Sequence, residues 1–478
     1  MRILSSVALC LVVGLSAWML GRASRTSNTI ERGGAVSLTP TAAPTVRLEP
    51  ASTALTPSYA PMLAKALPAV VTIRVIGENP IPIEIPPRSS NNSSSPLPAS
   101  KKEPFKAGGS GVIVDAANGY ILTNNHVIEN ATWIQVSLSN GRPMMGTLVG
   151  RDIGTDLAIV KVTGEDLPSI QVGDSDAMQV GDIVAAVGNP YGLEGTATIG
   201  IISAVMRTDI GHGAFEDFLQ MDAQVQPGNS GGALINVRGE LIGINTVGGA
   251  NPGQSAGIGF AIPSNMAMVV MKEIITAGRM RRGSPGLIVA DLPISSEVPA
   301  GALFIRGAIV KKVLPKSSAA AAGIKAGDLV VSVADKPVRS ADEYTTRVET
   351  VPLGTSIPFI IFSNGEGETF HLEATDMVLE PEGRTLAEPA GSIAGAVVGE
   401  ILLGNPLYGD IRGAQILSVP PDTPAFATGL EGDDVIVAVD NLNVRSVDEL
   451  MQRIARAGKQ YTITLERNGS PGYIRVSR

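Results

Sequence analysis

Gln226-Pro227-Gly228-Asn229-Ser230-Gly231-Gly232 is a turn-rich run with one serine in it, and the apolar run Ala233-Leu234-Ile235 follows at once. Glycine on both sides opens backbone conformations closed to other residues and lets a second segment come close. A serine hydroxyl attacks poorly until a base takes its proton, and the transition state needs N–H donors for the new oxyanion. A Gly-Asn-Ser turn can aim the N–H groups of Gly228 and Ser230 at one point. An ordinary Gly-rich β-turn has the same composition. The rest of the chain has to decide.

Working outward, short β-branched runs lie on both sides. Gly111-Val112-Ile113-Val114 precedes Asn118-Gly119, a hairpin signal. Tyr120-Ile121-Leu122-Thr123 leads into Asn124-Asn125-His126-Val127-Ile128, and Ile134-Gln135-Val136-Ser137-Leu138 alternates. Leu157-Ala158-Ile159-Val160, Ile183-Val184-Ala185-Ala186-Val187 and Leu241-Ile242-Gly243-Ile244-Asn245 read as buried strands. Many strands at short spacing predict a barrel or sandwich. Ser264 is placed to cap an amphipathic helix over 265–277, which Gly278 ends. The stretch 77–109, heavy in Pro, Ser and Asn, reads as a long mobile loop.

The 478 residues suffice for about three domains. A hydrophobic share of 44% supplies ample core, and a net charge of −8 argues against nucleic-acid binding through a basic surface. The single cysteine, Cys10, permits no intrachain disulfide and excludes a Cys₂His₂-type zinc site. No metal or organic cofactor is implied. Residues 1–25 carry an apolar run after Met1-Arg2 and read as a signal peptide or a membrane anchor; either one exports the body of the chain. Residues 26–57, rich in Thr, Ala, Pro and Ser, read as a flexible tether.

Downstream there is an internal repeat. Gly323-Ile324-Lys325-Ala326-Gly327-Asp328-Leu329-Val330 returns as Gly429-Leu430-Glu431-Gly432-Asp433-Asp434-Val435-Ile436, and the register holds through Val338-Arg339-Ser340 and Val444-Arg445-Ser446. The copies are expected at 281–379 and 392–478, with 380–391 as linker.

A serine nucleophile needs a histidine base, and the histidine needs an acid to hold its tautomer. Only His126, His212 and His371 are available. His126, where a strand gives way to a turn, is the best placed; His212 sits in a Gly-His-Gly loop and His371 in the first repeat. Asp156, directly before a buried strand, is the candidate acid, with Asp152 as runner-up.

Thr123-Asn124-Asn125-His126-Val127-Ile128, Asp156-Leu157-Ala158-Ile159-Val160 and Gly228-Asn229-Ser230-Gly231-Gly232-Ala233-Leu234 resemble, in order, the three motifs of the HtrA/Deg serine proteases. Gly257-Ile258-Gly259-Phe260-Ala261-Ile262-Pro263-Ser264 resembles a further segment of that family, and the repeats look like PDZ domains. The resemblance implies a mainly β fold: a chymotrypsin-like double β-barrel over 58–280, then two α+β PDZ domains. It implies that Ser230 attacks the scissile carbonyl, His126 moves the proton, Asp156 orients His126, and the amides of Gly228 and Ser230, with Asn229, hold the oxyanion. Gln224 would lie at the base of the specificity pocket, with Val225, Ile258, Gly259 and Phe260 around it. That pocket holds no acid, which argues against Lys or Arg at P1, and the resemblance implies small aliphatic P1 residues instead.

PDZ domains add an extended peptide to a sheet edge and hold its C-terminal carboxylate on backbone N–H groups. In the first copy the segment from Arg282 onward occupies that loop. Gly283, Ser284, Pro285, Gly286 and Leu287 would form it, although Pro285 brings no N–H. Ala396, Val397 and Val398 would form it in the second. The family further implies homotrimers and larger cages. It implies ATP-independent degradation of unfolded or misfolded exported proteins in the periplasm, and chaperone activity in some members. An uncleaved N-terminal segment would anchor the protein to the inner membrane. Switch loops are expected at 189–198, 207–217 and 246–255. The competing readings are a peptide-binding holdase with little proteolysis and an inactive scaffold.

Overall fold

The computed structural model describes residues 58–88, 101–189, 195–208, 210, 213–246, 257–292, 306–363 and 366–478. The signal or anchor, the tether, His212 and most of the 246–255 loop lie outside them. Among the described residues no helix is long and apolar enough to cross a membrane.

The β-branched runs become strands because alternating side chains put one apolar face inward. Two closed barrels result. Around the first wall the order is Val70–Pro80, Lys102–Asp115, Tyr120–Asn124, Leu157–Lys161, Pro143–Asp152 and Ala131–Ser137. Around the second it is Phe218–Met221, Gly259–Pro263, Leu241–Thr246, Ala233–Asn236, Ile183–Gly188 and Thr196–Arg207. Ile73, Ile113, Ile121 and Val160 fill the first interior, and Ile202, Met221 and Leu234 the second. A shared core containing Leu122, Leu157, Ala233 and Ile244 joins the barrels.

The helix Ser264–Ala277 buries Met266, Val270 and Ile274 in that shared core. Gly278 ends it at φ 77°, donating its N–H to Ile274 O. Ser264 does not cap it. Pro263 holds that position, and the Ser264 hydroxyl donates to Gly173 O at 2.9 Å.

Each repeat forms one sheet. The first runs Leu287–Asp291, Ala308–Val313, Leu329–Val333, Ser356–Ser363, Glu366–Glu373. The second runs Ser470–Ser477, Gln460–Arg467, Val435–Val439, Ala414–Ser418, Val397–Glu400, Arg384–Thr385.

Two sequence expectations are corrected here. The stretch 77–109 is not one long loop. Val70–Pro80 and Lys102–Asp115 pair without a break from Val70↔Val112 to Pro80↔Lys102. A ladder needs only backbone groups in register, so Pro- and Gly-rich composition does not prevent it. The arm that follows is also structured. Ile83–Glu84 adds in parallel to Ser470–Ser477, and the Ile85 N–H donates to Tyr473 O at 2.9 Å. Ile85 is buried in the second repeat's core, and the Arg88 guanidinium lies 4.1 Å from the Phe426 ring centroid. Residues 89–100 lie outside the described residues. The linker expected at 380–391 is likewise partly domain: Arg384–Thr385 is a strand of the second sheet, and Leu386 and Ala390 lie in its core.

Ile85→Ala is expected to weaken the arm's attachment by about 2–5 kcal/mol, the usual cost of truncating a buried aliphatic side chain. Trypsin should then cut at Arg88 faster than in the parent protein, read by mass spectrometry.

Candidate active site

Strands Tyr120–Asn124 and Leu157–Lys161 pair with Asn124 opposite Leu157. The turns beyond them are therefore neighbours. His126 sits in the short helical turn Asn125–Ile128, and Asp156 immediately precedes the second strand. Asp156 adopts φ 57°, a left-handed conformation that Asp tolerates better than most residues. Its carbonyl accepts from Asn125 N–H at 3.0 Å and from Asn124 Nδ2 at 3.1 Å.

The buried Asp156 carboxylate grips His126 twice. Oδ1 accepts the His126 backbone N–H at 3.0 Å, and Oδ2 lies 2.8 Å from Nδ1. An ionised carboxylate only accepts, so the proton belongs on Nδ1 and Nε2 is left with a lone pair. Burial pushes the imidazole pKa down, but the Asp156 hydrogen bond and the charges of Asp156 and Glu129 lift it above the ordinary 6.5 on balance. Asp152, the alternative acid, is engaged elsewhere: its Oδ2 accepts from Thr155 Oγ1 at 2.5 Å and from Arg282 at 2.7 Å. His371 lies on strand Glu366–Glu373 of the first repeat.

Ser230 follows a turn that its neighbours hold from several sides. Gly228 has φ 97° and Gly231 φ 81°. A Cβ on Gly231 would lie 2.1 Å from Ser110 O, so glycine is required there. The N–H groups of Gly228 and Ser230 have no partner among the described residues, which leaves two donors at the turn. Asn229 is corrected: its N–H is committed to Gln226 O at 2.9 Å and serves the turn. Ser230 Oγ is buried and carries no hydrogen bond among the described residues, so the link to His126 is open.

Ser110 is a residue that sequence reasoning missed. Its N–H donates to Ser230 O at 2.8 Å, and its hydroxyl donates to Gly228 O at 2.7 Å while accepting from Asn189 N–H at 2.8 Å. The only signal is a small polar residue between Gly109 and Gly111. Ser110→Ala frees the Gly228 carbonyl to turn and should lower kcat about 10–100-fold, the equivalent of one lost buried hydrogen bond. Steady-state kinetics on a fluorogenic peptide checks this.

Of the pocket residues, Val225 and Gly259 touch: a Cβ on Gly259 would lie 2.8 Å from Val225 Cγ2. Ile258 is exposed beside them. The Gln224 backbone carbonyl accepts from Thr198 Oγ1 at 2.8 Å. Phe260 is corrected: it turns into the shared core against Phe218, away from the Val225 side.

In the first repeat, Gly283 is buried against Leu353 and Ala374, and Leu287 belongs to the core. The Ser284 N–H donates to Thr375 O and the Gly286 N–H to Ser284 Oγ. With Pro285 lacking an N–H, those three positions offer no free donor. In the second repeat, Ala396 is buried, and Val397 and Val398 pair with Thr385 and Arg384.

Arg282 opens the segment expected to form the first repeat's loop, but its side chain reaches the first barrel. There one guanidinium nitrogen lies 2.8 and 2.7 Å from the two oxygens of Asp152, and the group stacks 4.2 Å from the Phe215 ring centroid. Nearby, Glu349 ends the helix Ala341–Glu349. Burial pushes its carboxyl up to about 8, with partial relief from Arg282 and the Tyr408 hydroxyl. Above the ordinary 4.5 an unfolded chain loses this proton, while the folded chain keeps it to about 8. The contribution is thus full below 4.5 and falls as pH rises to about 8. Wild type should show a lower denaturation midpoint near the top of that window than near its foot, and Glu349→Gln should flatten the difference in a urea titration.

The comparisons with known proteins fit this arrangement. Residues 109–244 match the trypsin-like peptidase domain family, and 309–357 and 391–477 match PDZ domain families. The periplasmic pH-dependent serine endoprotease DegQ of Escherichia coli (strain K12) is 40% identical over 400 residues, covering 84% of this chain and 87% of that protein. The periplasmic serine endoprotease DegP of the same strain is 36% identical over 467 residues, covering 92% and 96%. A solved structure of the HtrA-type protease AlgW with tripeptide is 35% identical with a TM-score of 0.51, covering 68% of this chain and 99% of that one. Matches of that identity, spanning barrels and repeats alike, mean that the chain belongs to the HtrA family of serine endoproteases, of the DegP/DegQ type.

Proposed function

We propose that Ser230 is the nucleophile of this serine endopeptidase, His126 its general base and acid, and Asp156 the residue that orients His126. Gly228 and Ser230 supply the oxyanion donors. The observation that carries this reading is the double grip of Asp156 on His126, which leaves Nε2 as base, together with two unengaged N–H groups at the Ser230 turn. Nε2 takes the Ser230 proton as Oγ attacks the peptide carbonyl, and the developing O⁻ is held by the two amides. The same imidazole returns the proton to the leaving amine, and water repeats the cycle on the acyl-enzyme. The open Oγ–His126 link closes as substrate seats, as such bonds commonly tighten in the Michaelis complex.

Val225, Ile258 and Gly259 give the acyl side an apolar wall without an acid, which favours small aliphatic P1 residues. Substrates are unfolded polypeptides of the periplasm, where the named relatives work. The PDZ domains bind peptide segments, the first by its outer strand Leu287–Asp291. A homotrimer is the working assembly, and the N-terminal segment directs export.

A fluorophosphonate probe tests the core of this. It should label wild type at Ser230, more strongly with unfolded casein present, and leave Ser230→Ala unlabelled. Labelling that survives Ser230→Ala would overturn the assignment.

A further inference from the structure

The two PDZ sheets differ at one edge. In the first, Leu287–Asp291 is the outermost strand among the described residues. In the second, the strand in the same place in the repeat, Val397–Glu400, carries Arg384–Thr385 on its outer side. The pairing is antiparallel, with Arg384 opposite Val398 and Thr385 opposite Val397. It continues into the loop: Leu386 N–H donates to Ala396 O at 2.8 Å, and Gly395 N–H donates to Leu386 O at 2.7 Å. Leu386 is 1% exposed, in a core that includes Ile393, Val398, Leu450 and Ile454. At the other end Arg384 pairs with Asp448, in the first turn of the helix Val447–Arg456.

A peptide held by a PDZ domain makes the same kinds of contact. It adds antiparallel to a sheet edge, with side chains in pockets and its terminal oxygens on loop N–H groups. We propose that Arg384-Thr385-Leu386 is an intrachain ligand of the second PDZ domain, and that the groove it fills also takes free C-termini of like chemistry. The matching ligand has a leucine-like last residue and a basic side chain two positions before it, facing Asp448.

A free C-terminus can displace the tethered segment because it brings something Leu386 lacks. The Leu386 carbonyl is one neutral oxygen. A terminal carboxylate adds a second oxygen and a charge, and hydrogen bonds to an ionised acceptor are roughly twice as strong as neutral ones. Against this, a short tether holds the internal segment at an effective concentration of the order of millimolar. The apparent affinity for added peptide is therefore reduced by the fraction of time the groove is open. The proposal rests on reading 392–478 as a peptide-binding module.

The test uses the full chain with Ser230→Ala, so that no probe is cleaved, and a fluorescein-labelled peptide ending in Arg-Thr-Leu with a free carboxylate, read by anisotropy. Adding Leu386→Ser empties the pocket and should tighten binding at least about tenfold. Amidating the peptide's C-terminus should reverse that gain, and Asp448→Arg should switch the preference from Arg to Glu at the basic position. Arg384→Glu, which leaves the core intact and repels Asp448, should tighten binding by about threefold and serves if Leu386→Ser fails to fold. Binding that responds to neither Leu386 nor Arg384 sinks the intrachain ligand while leaving the module reading in place. No binding by any variant sinks both.

Discussion

Asp156→Asn is expected to lower kcat/KM by about 10⁴-fold with the fold intact. Asparagine fits the same space, and its side-chain oxygen can still accept the His126 backbone N–H, as Oδ1 does at 3.0 Å. The second contact is what changes. Oδ2 lies 2.8 Å from Nδ1, and an amide nitrogen there offers a hydrogen where the imidazole also has one. The ring escapes the clash by moving its proton to Nε2, which removes the base from the Ser230 side. Losing the Asp156 charge also removes the main influences that raise the His126 pKa. The acid limb of kcat/KM, placed above 6.5 in wild type, should therefore shift to lower pH. A pH–rate profile on a fluorogenic peptide reads both effects. Wild-type rates in the Asp156→Asn variant would mean that another group orients the histidine.

Arg282→Ala should cost about 3–5 kcal/mol, because it strands a buried carboxylate. The side chains of Arg282 and Asp152 are only 6% and 3% exposed, so water cannot replace the lost partner. The stacking on Phe215 goes as well. Phe215 in turn donates its N–H to Gly154 O, two residues before Asp156, so the damage begins beside the site. A thermal melt should show the loss. Removing both partners, with Asp152→Ala added, should recover part of it, because the buried charge disappears with its counterion. A double variant less stable than Arg282→Ala alone would show that Asp152 does more than answer Arg282.

The parts legible in sequence are those with a local signature. Alternation marks most strands, Asn118-Gly119 marks a hairpin, and Gly278 marks a helix end. His126 and Asp156 stand out at strand edges and do meet, Nδ1 to Oδ2 at 2.8 Å, whereas Ser230 is set apart from an ordinary Gly-rich turn only by the family resemblance. The unreadable parts are pairings between distant segments. Nothing local to Ser110 says that it will brace Gly228, and nothing local to Arg282 names Asp152. The arm 81–88 does alternate at Ile81, Ile83 and Ile85, but Pro82, Pro86 and Pro87 read against a strand, although proline is tolerated on an edge strand. Segment 384–386 is too short to register as a strand at all. The family resemblance implies Phe260 and Asn229 for the site, whereas the side chain of one and the N–H of the other point elsewhere.

The arm that joins Ile83–Glu84 to Ser470–Ser477 bears on the order of assembly. Its partners, such as Glu84 and Tyr473, are separated by 389 positions. A chain emerging from its N-terminus presents this arm long before the strand that receives it exists. Both barrels can close first, since all their strands precede residue 264. The arm is therefore among the last pieces to be fastened, and a polypeptide cut short before its final strand would carry finished barrels with that clasp undone.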